Sequence, residues 1–281
     1  MPKIAIITDS TANLSAEFVN QNGIKVVPLK IHWGEETLLD GVDITPEAFY
    51  QRLKGAPKLP TTSQPSIHDF LQVYNEVAKD CDAILVVLIS SGISGTFASA
   101  SAAANEFSSK PVRVVDSRST SAGLSLIVQA VVDVSKNVTG LDELAAFAEN
   151  IAKKTFIFFM VDTLEYLHKG GRIGGAARFF GAALNIKPIL YLNEEGKIDT
   201  LEKVRTKQQA LNRLLELVKE RSNGAKTNTR IIHAAAQTEA EEFNSRVIEQ
   251  INCLTTDIID LSPVIGAHVG PGTIGLAFYS E

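Results

Sequence analysis

Cysteine is scarce: Cys81 and Cys253 are the only two among 281 residues. They lie far apart and share no metal-ligand spacing, which argues against a zinc site or a disulfide framework. They read instead as buried thiols in a reducing compartment. Long hydrophobic runs are missing as well. The longest apolar stretches, 83–89 and 156–161, have strand length, well short of a membrane-spanning helix. The N-terminal segment 3–9 lacks the apolar core and cleavage site of a signal peptide, so a cytoplasmic location is expected. An excess of positive charge is absent too. The formal net charge is −5, and the only basic grouping is the modest set Lys197, Lys203, Arg205, Lys207 and Arg213, which argues against a general nucleic-acid binder. There is no P-loop, no internal repeat and no low-complexity tract. Gly270-Pro271-Gly272-Thr273-Ile274-Gly275 fits G-x-G-x-x-G, but it precedes a strand near the end of the chain, the wrong context for a dinucleotide fingerprint.

What is present is enough apolar material for a core, 45% of residues, arranged in an α/β alternation. Strands are expected over 3–8, 24–32, 82–89 and 112–115, and helices over 15–20, 46–54, 66–79, 96–107 and 121–136. Segment 82–89 is nearly all apolar, as a strand buried on both faces should be. The pattern implies a mostly parallel sheet flanked by helices. After about residue 155 the pattern changes. A strand over 156–161, a helix ending at 165–169, a hairpin of 187–192 with 197–201, a helix over 206–221, a linker-like 222–229, a strand over 230–236, a helix over 239–251 and strands over 256–261 and 275–279 imply a second α+β domain with a mixed sheet. The expected domains are 1–155 and 156–281.

Ligands of open α/β sheets sit at the carboxyl ends of the strands. Asp9-Ser10, Ser90–Ser94 and Asp116-Ser117 all follow expected strands and should crowd one edge. Two hydroxyl-rich loops stand out, Pro60-Thr61-Thr62-Ser63-Gln64-Pro65 and Ser90-Ser91-Gly92-Ile93-Ser94-Gly95-Thr96-Phe97, each leading into a helix. Hydroxyls and free N–H groups at helix starts hold a small anion without a lysine or arginine. Each loop also has a plainer reading: Ser94 caps its own helix, and Thr62–Pro65 is a surface turn. His268, placed in a glycine-bordered loop, either hydrogen-bonds a carboxylate or serves structure alone. Asp9 and Asp116 are acid–base or metal candidates, or braces for their loops. Arg172, in a glycine-rich turn, meets an anion, a partner protein or the other domain. The segment 176–184, small and aromatic, is expected as a helix of the core or of a narrow apolar tunnel. Ser94 with His268 and Asp116 would make a serine-type lipid hydrolase; the elbow-like turn at Ser94 supports that alternative, although its second glycine is misplaced.

Taken in order, Thr8-Asp9-Ser10-Thr11, Thr62-Ser63-Gln64-Pro65, Ser90–Thr96, Val115-Asp116-Ser117, Gly170-Gly171-Arg172-Ile173 and His268-Val269-Gly270-Pro271-Gly272 resemble the DegV proteins, including the fatty-acid-binding subunits of bacterial fatty acid kinases. The resemblance implies two α/β domains with a long-chain fatty acid, such as palmitate or oleate, buried between them and no other cofactor. Its carboxylate would meet Thr62 and Ser94, aided by Ser63 and Gly95, with His268 in the same network. The resemblance places Arg172 and Arg205 as contacts for a partner kinase rather than in the lipid site, and implies a non-catalytic subunit. Ile93 and Phe97 stand where the family commonly has Leu and Tyr, which keeps an apolar wall. Burying roughly sixteen carbons gains on the order of 10 kcal/mol before the costs of binding.

Overall fold

The computed structural model describes residues 2–181 and 186–281. The chain opens with β1 (Ile4–Asp9), α1 (Ala16–Asn22), β2 (Lys25–Val27), β3 (Lys30–Trp33), β4 (Glu36–Leu39), α2 (Pro46–Leu53), β5 (Thr61–Ser63) and α3 (Ile67–Val77). It continues through β6 (Ala83–Leu88), α4 (Thr96–Glu106), β7 (Val112–Asp116), α5 (Ser121–Ser135) and α6 (Leu141–Lys154). The remainder is β8 (Phe156–Met160), α7 (Glu165–Lys169), β9 (Lys187–Leu192), β10 (Ile198–Val204), α8 (Lys207–Ser222), β11 (Thr227–His233), α9 (Gln237–Gln250), β12 (Cys253–Asp260), α10 (Pro263–Val269) and β13 (Ile274–Ser280).

The first half holds an all-parallel sheet in the order β2-β1-β6-β7. Every residue of β6 is buried, the property its unbroken apolar sequence requires of a central parallel strand. The second half holds a six-stranded sheet, β10-β9-β8-β13-β11-β12, in which only β11 and β12 run parallel. This is the expected α/β class with a mixed second sheet.

Helix α5 explains how the halves meet. Eleven of its residues between Ser121 and Val132 are buried, and it touches strands of both sheets. A helix apolar on every side has to be enclosed. The expected division after residue 155 falls at the α6–β8 junction. The largest apolar cluster crosses it, joining Leu85 and Val87 to Phe159, Val161 and Leu190.

Several local expectations need correction. The single strand expected over 24–32 is two, β2 and β3, belonging to different sheets. Strands β4 and β5 flank β3 in a small antiparallel sheet, so Thr61–Ser63 is a strand rather than a loop. Helix α6 has no counterpart in the sequence reading. Gly174–Phe179 forms a 3-10 helix, so the helix expected over 176–184 is shorter and tighter; residues 182–184 of that expectation lie outside the described residues. Cys253 is only half-buried, unlike Cys81.

Candidate functional site

Strand β5 presents Thr62, and period-two alternation sends Thr62 and Ser63 to opposite faces. The Ser63 hydroxyl is tied to His32 Nε2 at 2.8 Å. Thr62 Oγ1 lies 2.7 Å from His268 Nε2, across 206 residues of chain. His268 sits on α10, not in a loop. Ser262 followed by Pro263 at the first helical position is the start signal that sequence reading could have used.

Burial, and then the nearby Arg172 guanidinium, push the His268 imidazole down to about 4, so it is neutral at physiological pH. Its Nδ1 has no partner. The ring packs so closely on Gly170 that a Cβ there would overlap Nδ1. Arg172 is fixed by Nε donating to the Ile93 carbonyl at 3.2 Å and Nη1 donating to the Gly170 carbonyl at 2.9 Å.

Ser94 precedes α4. Its Oγ lies 2.8 Å from Thr96 Oγ1 and accepts from the Thr96 N–H at 3.3 Å. This local turn is close to the plainer reading, although the cap position itself is Gly95. Gly95 faces the other loop, where a Cβ would stand 3.0 Å from the Gln64 side chain.

These groups border one cavity, whose space, open solvent at its mouth included, is about 760 Å³. Thr62, Ser63, Gln64, Ser94, Arg172 and His268 all line it. Much of the rest of the wall is aliphatic or aromatic: Leu29, Ile89 and Ile93 from the first half, Phe159, Ile232 and Ile265 from the second. The sequence reading named these polar residues; it missed Thr120, Ser121 and Thr273, which also line the cavity, and most of the apolar wall, which comes from strands and a helix far apart in the chain.

Two placements depart from expectation. Arg172, expected to stand apart from the lipid site, lines the cavity beside His268, so the polar end does contain an arginine. Gly95 borders a neighbouring groove with Gly92, Ser94 and Arg172 rather than the cavity itself. Arg205 is exposed at the turn before α8, outside the cavity.

The hydrolase constellation is not assembled. The Ser94 hydroxyl is engaged with Thr96, and His268 with Thr62. Asp116 accepts from the Ser91 hydroxyl at 2.6 Å and from the Ser91 and Arg118 N–H groups. Asp9 is fully buried and accepts from Thr11 and from the Ile89 N–H at 2.7 Å. Both aspartates brace loops. Among the described residues no cluster of three or more His, Cys, Asp or Glu side chains is arranged for a metal, and no helix is long and apolar enough to cross a membrane.

A family model for DegV proteins, described as uncharacterised, matches residues 3–281. The chain belongs to the DegV family. A DegV domain-containing protein of Clostridium acetobutylicum is 36% identical over 283 residues, the full length of both chains. A DegV-family protein of Thermus thermophilus, described by its fatty acid binding, superposes with a TM-score of 0.94 at 32% identity over 99% of this chain and all of that one. DegV of Bacillus subtilis, described as a fatty acid binding protein, superposes with a TM-score of 0.91 at 31% identity over the whole of both chains. The DegV architecture thus runs the length of this chain, and its cavity lies where both halves contribute walls.

Proposed function

We propose that this DegV-family chain binds a long-chain fatty acid in the cavity, with its carboxylate at the Thr62–His268 end, and presents that carboxyl group to a partner kinase. The observation that carries the reading is the cavity itself: an apolar space bordered by a cluster of hydroxyls, a neutral imidazole and one guanidinium. The solved relatives described as fatty-acid-binding share the fold.

The chemistry divides between tail and head. Apolar walls gain about 0.8 kcal/mol per methylene buried, which makes the tail the main source of affinity. The head must not be left unpaired, because a buried carboxylate without donors is expensive. In the tautomer protonated on Nε2, His268 donates to Thr62 Oγ1, which leaves the Thr62 hydroxyl proton for the carboxylate. Ser94 and Arg172 supply further donors. The resemblance to the fatty acid kinase subunits supports a kinase as the partner. Arg205, exposed and away from the cavity, is its docking contact.

Mass spectrometry of an organic extract of the purified protein tests the lipid reading. Near-stoichiometric fatty acid is expected; an empty extract together with no uptake of added palmitate or oleate would overturn it. Arg205→Glu should abolish kinase-dependent phosphorylation of the acid and spare lipid uptake, and loss of both would refute the separate docking role.

A further inference from the structure

One stretch of the cavity wall is polar without any visible reason. The loop after β7 delivers Thr120 and Ser121 to the cavity lining, at the N-terminus of α5. Ser121 is 1% exposed, and its Oγ has no hydrogen-bond partner. Thr120 Oγ1 is likewise buried and unpartnered. Buried hydroxyls normally find partners, and leaving them bare is costly. No side chain caps α5, a 15-residue helix whose first N–H groups and positive end therefore face this region. Ser121 also has a φ of 48°, a left-handed conformation that disfavours a side chain bearing a Cβ. Strain, an uncapped helix start and two bare hydroxyls coincide at one point on an otherwise largely apolar surface.

We propose that Thr120, Ser121 and the start of α5 form a second polar subsite, which receives an oxygen function carried on the acyl chain, so that the cavity prefers a hydroxy or keto fatty acid to the plain saturated acid. This rests on the fatty-acid reading above and adds a ligand class to it. Thr62 and His268 belong to β5 and α10, while Thr120 and Ser121 open α5, so the two groups reach the cavity from different elements. The donors suit a neutral oxygen. Two hydroxyls donate or accept, and the helix end favours an acceptor. A plain methylene chain satisfies none of these groups.

The test is competitive displacement of a fluorescent fatty acid from the full chain by stearate and by a positional series of hydroxystearates. At least one hydroxystearate should bind about two- to ten-fold more tightly than stearate, the range for one net hydrogen bond. In the Thr120→Val, Ser121→Ala double variant the ratio of the two affinities should fall to about one. Stearate binding equal to or tighter than every hydroxystearate in the wild-type chain would overturn the subsite and leave the lipid reading standing. Persistence of the preference in the double variant would also overturn it. Binding of neither acid would remove the lipid reading and this inference together.

Discussion

At the residue scale, the pair Thr62–His268 is the joint of the candidate site. The neutral imidazole has one engaged nitrogen and one bare nitrogen, so removing its only partner leaves two bare nitrogens in a buried ring. Thr62→Val keeps the shape and deletes the hydroxyl. It should cost about 1–3 kcal/mol of stability, the penalty of an unsatisfied buried polar group, and weaken fatty acid binding about ten-fold or more. Thr62→Ser, which keeps the oxygen, should restore most of both. Thermal melts and ligand titration of the two variants check this. Equal behaviour of Val and Ser would show that the hydroxyl is not the operative group. These residues were legible because the chemistry of hydroxyls, imidazole and helix starts is local. The placement of Arg172 was not legible, because it depends on where Gly170 and Ile93 place their carbonyls, which the sequence does not state.

At the element scale, the β9–β10 hairpin closes one side of the cavity by resting on the Ser90–Ser94 loop. Ser90 Oγ donates to the Gly196 carbonyl at 2.8 Å, and Arg118 Nη1 donates to the Glu194 carbonyl at 2.9 Å. Gly92 permits this approach. A Cβ there would lie 2.5 Å from the Glu195 carbonyl oxygen and 2.7 Å from the Gly196 carbonyl carbon, backbone atoms that cannot rotate aside. Gly92→Ala should therefore lift the hairpin, lower stability by about 2 kcal/mol and weaken ligand retention through the Leu192 and Ile198 wall. Gly55→Ala, which meets open space, is the control and should change stability by less than about 0.5 kcal/mol. Hydrogen exchange over 193–197 should rise in the first variant only. The hairpin, the buried strand β6 and the capped helices α2 and α8 were legible because periodicity and turn chemistry are written in contiguous residues. Strand β5 was not: three residues carry no period, and pairing with β3 decides their conformation. Helix α10 was hidden by its glycine-rich flank, although Ser262-Pro263 announced it.

At the scale of the whole molecule, two buried carboxylates tie distant parts together and give the fold a pH signature. Asp40, after β4, is 1% exposed. Its Oδ1 accepts from the Val264 N–H at 3.2 Å, holding the start of α10 to the first half across 224 residues. Its Oδ2 has no partner. Burial raises Asp40 to about 6, and repulsion from Asp9 adds to the rise; burial raises Asp9 to about 6 as well. Both folded values exceed the unfolded value of 3.8, so the folded chain binds these protons more tightly. Their contribution to stability is present below pH 4 and is lost as pH rises through 6. His268 acts in the opposite sense: with a folded value near 4 against 6.5, it costs stability as pH falls from 6.5 to 4. Substituting Asp40 separates the two effects. Asn retains an oxygen for the Val264 N–H and removes the buried charge. Asp40→Asn should thus gain about 1–3 kcal/mol over wild type at pH 7.5, where the wild-type carboxylate is charged in a buried site, and about half as much at pH 5. Chemical denaturation at both pH values measures the difference. A gain that does not shrink toward pH 5 would mean that Asp40 is already protonated, or already well solvated, at neutral pH. In that case the junction between β4 and α10 carries no titrating charge, and the pH response of the fold near 6 has no Asp40 component.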